Sequence, residues 1–134
     1  MAHTAELRLE GRTYKIITCE YKFAQPLDEI GQPCAHPMGG LVHLTIESPD
    51  NSDLFIHNWM LNATDHKDGT IAFTVVSAGK PTTKILNFKR AYCVGLYECF
   101  DSGADAQMLT EIAISAAEIS FGIGGNAVFK NDEK

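Results

Sequence analysis

Apolar and polar residues alternate along most of the chain, and this period of two is typical of β-strands. Residues 5–10 show the pattern first and residues 13–24 continue it. Gly11-Arg12 lies between them and predicts a tight turn, because glycine can take the positive φ of its first position. One face of the second segment carries Ile17, Cys19, Tyr21 and Phe23. Together the two segments predict an opening hairpin.

The same alternation predicts further strands at residues 40–48, 70–77, 84–101 and 108–121. In the first of these, Val42, Leu44 and Ile46 share one face. Gly95 predicts a bend or bulge within the third. Turns are predicted at Asp68-Gly69 and at residues 78–81.

Residues 54–61 change to a helical period. Their apolar stripe consists of Phe55, Ile56, Trp59 and Met60, which predicts a short helix packed against the sheet. Possible N-caps precede it at Ser48, Asp50 and Ser52.

Two segments lack both periods. Residues 25–38 hold Pro26, Pro33, Pro37 and Gly31, a density that predicts an extended loop. Long loops in compact domains usually serve function or contacts. Residues 122–134 are glycine-rich and then charged, which predicts a tail that is mobile before assembly. The sum is about seven strands and one helix, spaced for a sandwich or small closed barrel.

Composition places the chain among ordinary globular proteins. Its 134 residues suit one domain and no linker divides them, with 45% hydrophobic and 21% charged residues. A formal net charge of −6 argues against a nucleic-acid partner. The N-terminus lacks a signal-peptide pattern, and no apolar run approaches the length of a membrane span. We therefore expect cytoplasmic synthesis, no membrane insertion and reduced thiols for the four cysteines.

A zinc site is the first chemistry to consider. Cys34 and His36 could join Cys93 and Cys99. Structural zinc usually needs closely paired ligands, and these spacings do not provide them. Cys93 and Cys99 would share one face of a regular strand about 20 Å apart. We expect no metal and no cofactor, with the thiols acting as small apolar groups.

Catalysis is not indicated either. No nucleophile signature surrounds any Cys-His pairing, and His43 and His57 are expected at the surface or in an interface. The glycines at 122–125 lack the strand-loop-helix context of a phosphate cradle. The N-glycosylation sequence at Asn62 does not indicate glycosylation without a secretory signal. We expect no catalytic residues and no enzymatic activity.

A set of short segments runs in a fixed order from the first loop to the last strand. They are Gln25-Pro26-Leu27-Asp28, Gly31-Gln32-Pro33, Gly39-Gly40, Leu44-Thr45-Ile46-Glu47-Ser48, Leu54-Phe55, Trp59-Met60, Lys67-Asp68-Gly69, Ala91-Tyr92, Glu98-Cys99-Phe100-Asp101 and Ile114-Ser115-Ala116-Ala117-Glu118-Ile119. In this order and spacing they resemble the Hcp (TssD) tube subunit of bacterial type VI secretion systems, in its divergent branch. Met38 departs from the pattern, since family members often have a basic residue before the glycine pair.

The resemblance implies a mainly β fold, a β-barrel of two antiparallel sheets with one short α-helix packed at its side. It also implies subunits that form hexameric rings, which stack into a tube and carry or chaperone effectors. Sheath, spike and effector proteins would be the partners, and export would proceed through the type VI apparatus.

Subunit contacts are expected in the loop 25–40, the loop 78–83 and the start of the tail. The residues concerned are Gln25, Pro26, Asp28, Gly31, Pro33, His36, Met38, Gly39, Gly79, Lys80 and Gly122. Two alternatives remain open at this point. One is a monomeric β-barrel that binds a small ligand, and the other is an enzyme that uses Cys34 and His36.

Overall fold

The computed structural model describes residues 3–35, 38–48, 53–99, 108–122 and 127–130. This part of the chain contains seven strands and one helix. In chain order they are β1 (His3–Leu9), β2 (Arg12–Tyr21), β3 (Leu41–Glu47), α1 (Phe55–Met60), β4 (Lys67–Ser77), β5 (Lys80–Cys99), β6 (Leu109–Phe121) and β7 (Ala127–Lys130).

The strands form a closed barrel. Their order is β3-β2-β1-β4-β5-β6-β7, and every neighbouring pair is antiparallel. β3 also pairs with β6, from Leu41 opposite Ser115 to Glu47 opposite Leu109, and this pairing closes the sheet on itself. The predicted β-barrel with one short helix is confirmed. Its walls form one continuous hydrogen-bonded sheet, and β7 is an extra strand on β6.

Alternate residues of the strands fill the barrel. Fully buried side chains include Leu7, Leu9, Val42, Ile46, Ile71, Leu86, Phe88, Ile114 and Ile119. Burial of each contributes roughly 1.5–3 kcal/mol. From α1, Ile56 and Trp59 are buried, while Phe55 and Met60 are half-buried against the same core. The predicted role of the helix stripe is therefore confirmed.

The turns of the β1–β2 and β4–β5 hairpins each have two central residues with positive φ. Glu10 and Gly11 have φ of 48° and 81°, and Ala78 and Gly79 have φ of 55° and 76°. Two such residues are typical of a type I′ turn, which matches the twist of the flanking strands. The first turn was predicted one residue too late, because Arg12 already pairs with Leu9 in the ladder.

A bulge in β2 changes which residues face inward. The register shifts between Ile16 and Thr18, so Ile17 is left on the outside with 46% of its surface exposed. The prediction that Ile17 shares a face with Cys19 and Tyr21 is therefore wrong, since the latter two pack against the core. A bulge adds one residue to one strand and so reverses the alternation beyond it.

The predicted irregularity at Gly95 is confirmed by a register shift between Cys93 and Gly95. As in β2, the extra residue reverses the alternation. Cys93 is consequently buried and Cys99 exposed, so the prediction that these two thiols share one face is wrong.

The predicted turn at Asp68-Gly69 is also wrong, because both residues lie within β4. The glycine is required by packing instead. A Cβ on Gly69 would lie 2.5 Å from Cζ of Phe88 and 2.7 Å from a methyl carbon of Leu9. Asp68 stabilises the adjacent strand, since its carboxylate accepts a hydrogen bond from Arg90 N at 2.9 Å.

The end of the chain contributes a strand where a mobile tail was predicted. β7 pairs with β6 from Glu118 to Phe121. Its Phe129 ring lies 5.2 Å from the Phe23 ring, in an aromatic group at one end of the barrel. Residues 123–126 and 131–134 of the predicted tail lie outside the described residues.

Candidate assembly surfaces

The loop between β2 and β3 is closed at its base by a bridge of two hydrogen bonds. Ala24 N donates to Met38 O at 3.0 Å, and Met38 N donates to Ala24 O at 2.6 Å. A second bridge joins Leu27 to Pro33 farther out. The loop predicted from its prolines therefore leaves the barrel as a narrow projection. His36 and Pro37 lie outside the described residues.

Asp28 shapes the tip of this loop. Its Oδ1 accepts hydrogen bonds from Ile30 N at 3.0 Å and from Gln32 N at 2.9 Å. Gly31 has φ of 85°, which favours glycine in the turn. The bend leaves Leu27 and Ile30 with 62% and 77% of their surface exposed. Apolar side chains held out on a shaped loop are suited to contact with another protein.

The glycine pair at the end of the loop is explained by packing within the subunit. A Cβ on Gly39 would lie 2.4 Å from Cδ1 of Phe23. Gly40 has φ of 96°, and a Cβ there would lie 2.6 Å from the carbonyl oxygen of Ala116. The Gly40 carbonyl in turn accepts a hydrogen bond from Ala116 N at 2.7 Å. The Phe23 ring therefore accounts for Gly39, and the close approach of the Ala116 backbone accounts for Gly40.

Gly122, predicted as a contact residue, belongs to the barrel wall. Its N–H donates to Ile85 O at 2.9 Å, and its carbonyl accepts from Asn87 Nδ2 at 3.3 Å. Both of its backbone groups are therefore used within the subunit.

The β4–β5 hairpin extends beyond the barrel, and we call residues 75–84 the arm. β1 accompanies β4 only as far as Val75, and β6 pairs with β5 only from Leu86. Every residue from Ser77 to Lys84 is exposed. The predicted contact residues Gly79 and Lys80 lie at its tip.

A shallow groove of about 740 Å³ crosses the outer face of the barrel, and we call it the outer groove. It crosses strands β2, β3, β6 and β5. Its outward-facing lining is Thr18, Glu20, His43, Thr45, Gly95, Tyr97, Glu111 and Ala113. The depression exists because Gly95 and Ala113 are small, and a Cβ on Gly95 would lie 3.3 Å from that of Ala113. His43 is exposed here, as predicted.

The charge of the outer groove is acidic. Glu20 lies opposite His43 in the ladder, and Glu111 lies opposite Thr45. Neither carboxylate forms an ion pair with any of the described residues. Exposed Tyr97 lies opposite Glu111 in the ladder, with 59% of its surface accessible. The groove thus combines an aromatic side chain with two negative charges that have no ion-pair partner among the described residues.

A polar network attaches α1 to the barrel and includes His57, which was expected at the surface or in an interface and is half-buried. His57 Nε2 lies 3.0 Å from Oε1 of Glu98, and the Thr110 hydroxyl donates to Oε2 of the same carboxylate. Ser48, predicted as an N-cap, instead shares a 2.8 Å hydrogen bond with Thr110. The side chain that accepts from the start of the helix is Asp53, from Phe55 N at 3.0 Å.

The hydrogen bond from Thr110, followed by that of His57, holds the pKa of Glu98 below its usual range, although partial burial opposes this. A depressed folded-state pKa stabilises the fold at pH values above the unfolded pKa of about 4.3. That stabilisation is lost as the pH falls through the folded pKa. The Glu98 carboxylate is therefore an acid-sensitive anchor of α1.

We expect Glu98→Gln to lower the free energy of unfolding at pH 7 by about 1 kcal/mol, because a charge-assisted hydrogen bond is lost at a partly exposed site. Its melting temperature should also depend less on pH between about 5 and 3 than that of the parent. Thermal unfolding followed by circular dichroism across this range measures both, with exposed Glu29→Gln as the control. Identical acid profiles for Glu98→Gln and the parent would contradict the anchor.

The described residues place no three His, Cys, Asp or Glu side chains together as a metal site. Cys34 is exposed on the loop, and its proposed partner His36 lies outside the description. Burial raises the pKa of Cys19 and of Cys93 to about 11, so both thiols are protonated at neutral pH. None of the described helices has the length and apolar character needed to cross a membrane.

Comparison with known proteins gives one family and a consistent fold. The family model described as Hemolysin coregulated protein Hcp (TssD) matches residues 1–132. Hcp1 from Flavobacterium johnsoniae is 30% identical, with 96% of this chain and 99% of that chain covered and a TM-score of 0.79. A search of curated protein sequences gave no match.

More distant structures share the fold alone. Hcp1 from E. coli EAEC 042 is 11% identical with a TM-score of 0.70, covering 98% of this chain and 97% of that one. The sheath/tube terminator of the extracellular contractile injection system PVC is 16% identical with a TM-score of 0.57, covering 89% and 93%.

Proposed function

Because the chain belongs to the Hcp (TssD) family, we propose that it is a tube subunit whose copies assemble into hexameric rings that stack. The observation that carries the proposal is the match of this family over residues 1–132, with Hcp1 of Flavobacterium johnsoniae covered over 99% of its length. The family supports a structural tube subunit. We propose in addition that the rings stack and that the tube carries or chaperones effectors.

The physical requirement for a closed ring is a pair of different, complementary patches on each copy. The subunit offers candidates in the projecting loop with its exposed Leu27 and Ile30, the arm and the outer groove. The core is already buried within the subunit, so these three surfaces are available for contacts between subunits.

The alternative of a monomeric barrel that binds a small ligand receives less support. Ligand-binding barrels keep a cavity at their mouth, whereas large side chains such as Phe88 and Ile114 fill the described interior. The alternative enzyme that uses Cys34 has no buried base beside that thiol among the described residues. We propose no enzymatic role.

We further propose that the loop contacts a neighbouring subunit through Gln25, Pro26, Asp28, Gly31, Pro33, His36 and Met38. Gly79 and Lys80 are proposed contacts of the arm. Gly39 and Gly122 are proposed contacts that also have roles within the subunit. Sheath, spike and effector proteins are the proposed partners, and export through the type VI apparatus is the proposed route.

The test is the mass of the assembly in solution. Light scattering after size exclusion should give about 88 kDa, six times the 14.7 kDa subunit, or multiples of it. A variant with residues 25–37 replaced by Asn-Gly can close the strands across the Ala24–Met38 bridge. It should keep the circular dichroism spectrum of the parent and assemble more weakly.

The two parts of the proposal fail separately. A parent that remains a 14.7 kDa monomer at micromolar concentration contradicts the ring. A shortened variant whose rings are as stable as those of the parent contradicts only the contact assigned to the loop.

A further inference from the structure

The arm carries two lysines on one face. Lys80 and Lys84 are four residues apart on β5, so they project to the same side about 13 Å apart. Both are exposed and neither forms an ion pair with a described residue. Lys84 Nζ lies 5.4 Å from the centroid of the Phe121 ring, so its charge stands over an aromatic face of the same subunit. Val75 lies opposite Thr82 between them and exposes 37% of its surface. The face is therefore positive at its two ends and partly apolar in the middle.

The arm is not built for pairing with a further strand. Residues 80–84 of β5 pair only with β4 in the described structure, which leaves their other edge open. Pro81 and the two lysines occupy this edge, and such residues discourage edge-to-edge addition of strands. The arm is therefore expected to bind through its side chains.

The outer groove has the complementary pattern. Glu20 and Glu111 lie on the two strands that flank β3, and they are offset by two residues along the strand direction. This places their Cα atoms about 12 Å from each other. Between them on β3 lie His43 and Thr45, and the small Ala113 lies opposite His43 on β6. The two negative charges therefore complement the sign and match the spacing of the two arm lysines.

We propose that the arm of one copy docks in the outer groove of a neighbouring copy, with Lys80 and Lys84 facing Glu20 and Glu111. This inference rests on the proposed function, because it names the partner of each surface as a second copy of the same chain. Arm and groove are different patches, so the contact repeats in one direction from copy to copy. Opposite charges across such a contact also guide the approach of the two copies.

The experiment uses two charge-reversal variants of the full chain. The arm variant carries Lys80→Glu and Lys84→Glu, and the groove variant carries Glu20→Lys and Glu111→Lys. Each alone should assemble at least about tenfold more weakly, since like charges would face one another. An equimolar mixture should regain part of the assembly, and one chain with all four changes should regain most of it. Lys130→Glu, an exposed change on β7 outside both surfaces, should assemble like the parent.

Sedimentation velocity measures the assembly, and circular dichroism verifies that each variant is folded. If a reversal variant does not fold, the milder Lys80→Gln with Lys84→Gln and Glu20→Gln with Glu111→Gln give the same comparison. Rescue by the mixture and by the combined chain supports the docking.

Two results overturn the docking while the ring proposal stands: reversal variants that assemble like the parent, or weakened variants that neither mixing nor combination rescues. A parent that stays monomeric contradicts the proposed function itself, and the docking with it.

Discussion

Trp59→Ala is expected to lower the free energy of unfolding of the subunit by about 3–5 kcal/mol. The indole is 1% exposed between α1 and the barrel wall, and its Nε1 donates to Asp65 O at 2.9 Å. Truncation leaves a cavity and an unpaired carbonyl at once. Against a total stability of about 5–15 kcal/mol, this loss should leave a large unfolded fraction.

Urea unfolding followed by circular dichroism, at concentrations too low for assembly, measures the change. Leu61→Ala is the matched control, because Leu61 follows the same helix and is 82% exposed. Trp59 is the single tryptophan of the chain, so its emission in the parent gives an independent reading of its burial. If the Trp59→Ala monomer were as stable as the parent but unable to assemble, Trp59 would be an interface residue and not a core residue.

Gly40→Ala is expected to lower the free energy of unfolding by about 2–4 kcal/mol, because it adds both backbone strain and overpacking. At φ of 96° any side chain is strained, and the new Cβ would lie 2.6 Å from the Ala116 carbonyl oxygen. That oxygen belongs to the backbone of β6 and cannot rotate away. The join between β3 and β6 would have to open locally.

Gly11→Ala provides the comparison, because Gly11 has φ of 81° but no atom within 4 Å of its hypothetical Cβ. Gly11→Ala should lower the free energy of unfolding by about 1 kcal/mol, through backbone strain alone. The difference between the two unfolding free energies isolates the close approach at Gly40. Equal costs for the two variants would show that the contact with Ala116 is not what requires glycine.

Regular strands could be predicted from the sequence because their alternation is a local property. Val42, Leu44 and Ile46 are buried as the pattern of β3 indicates. Ile17 breaks the rule because its bulge depends on the register with β3, which the strand itself does not encode. Gly69 was taken as a turn residue because glycine serves both turns and tight packing, and only the neighbouring Phe88 ring distinguishes them.

β7 could not be predicted because four residues after a glycine-rich segment carry little periodic signal. Its pairing with β6 and the contact of Phe129 with Phe23 become visible only when the barrel is closed.

Of the candidate surfaces, only the one that is encoded by neighbouring residues could be predicted from the sequence. The projecting loop could be predicted because prolines and glycines encode it directly in residues 25–38. The outer groove could not, since Glu20 and Glu111 are separated by most of the chain and become neighbours through β3. His57 and Glu98 are likewise 41 residues apart, and no local pattern joins them.

The measurement that tests the ring most directly is electron microscopy of the purified chain at micromolar concentration, with class averages of single particles. We expect closed rings with six-fold symmetry, alone or stacked into short tubes. A uniform population of single subunits, or of closed two-fold dimers that cannot extend, would contradict it.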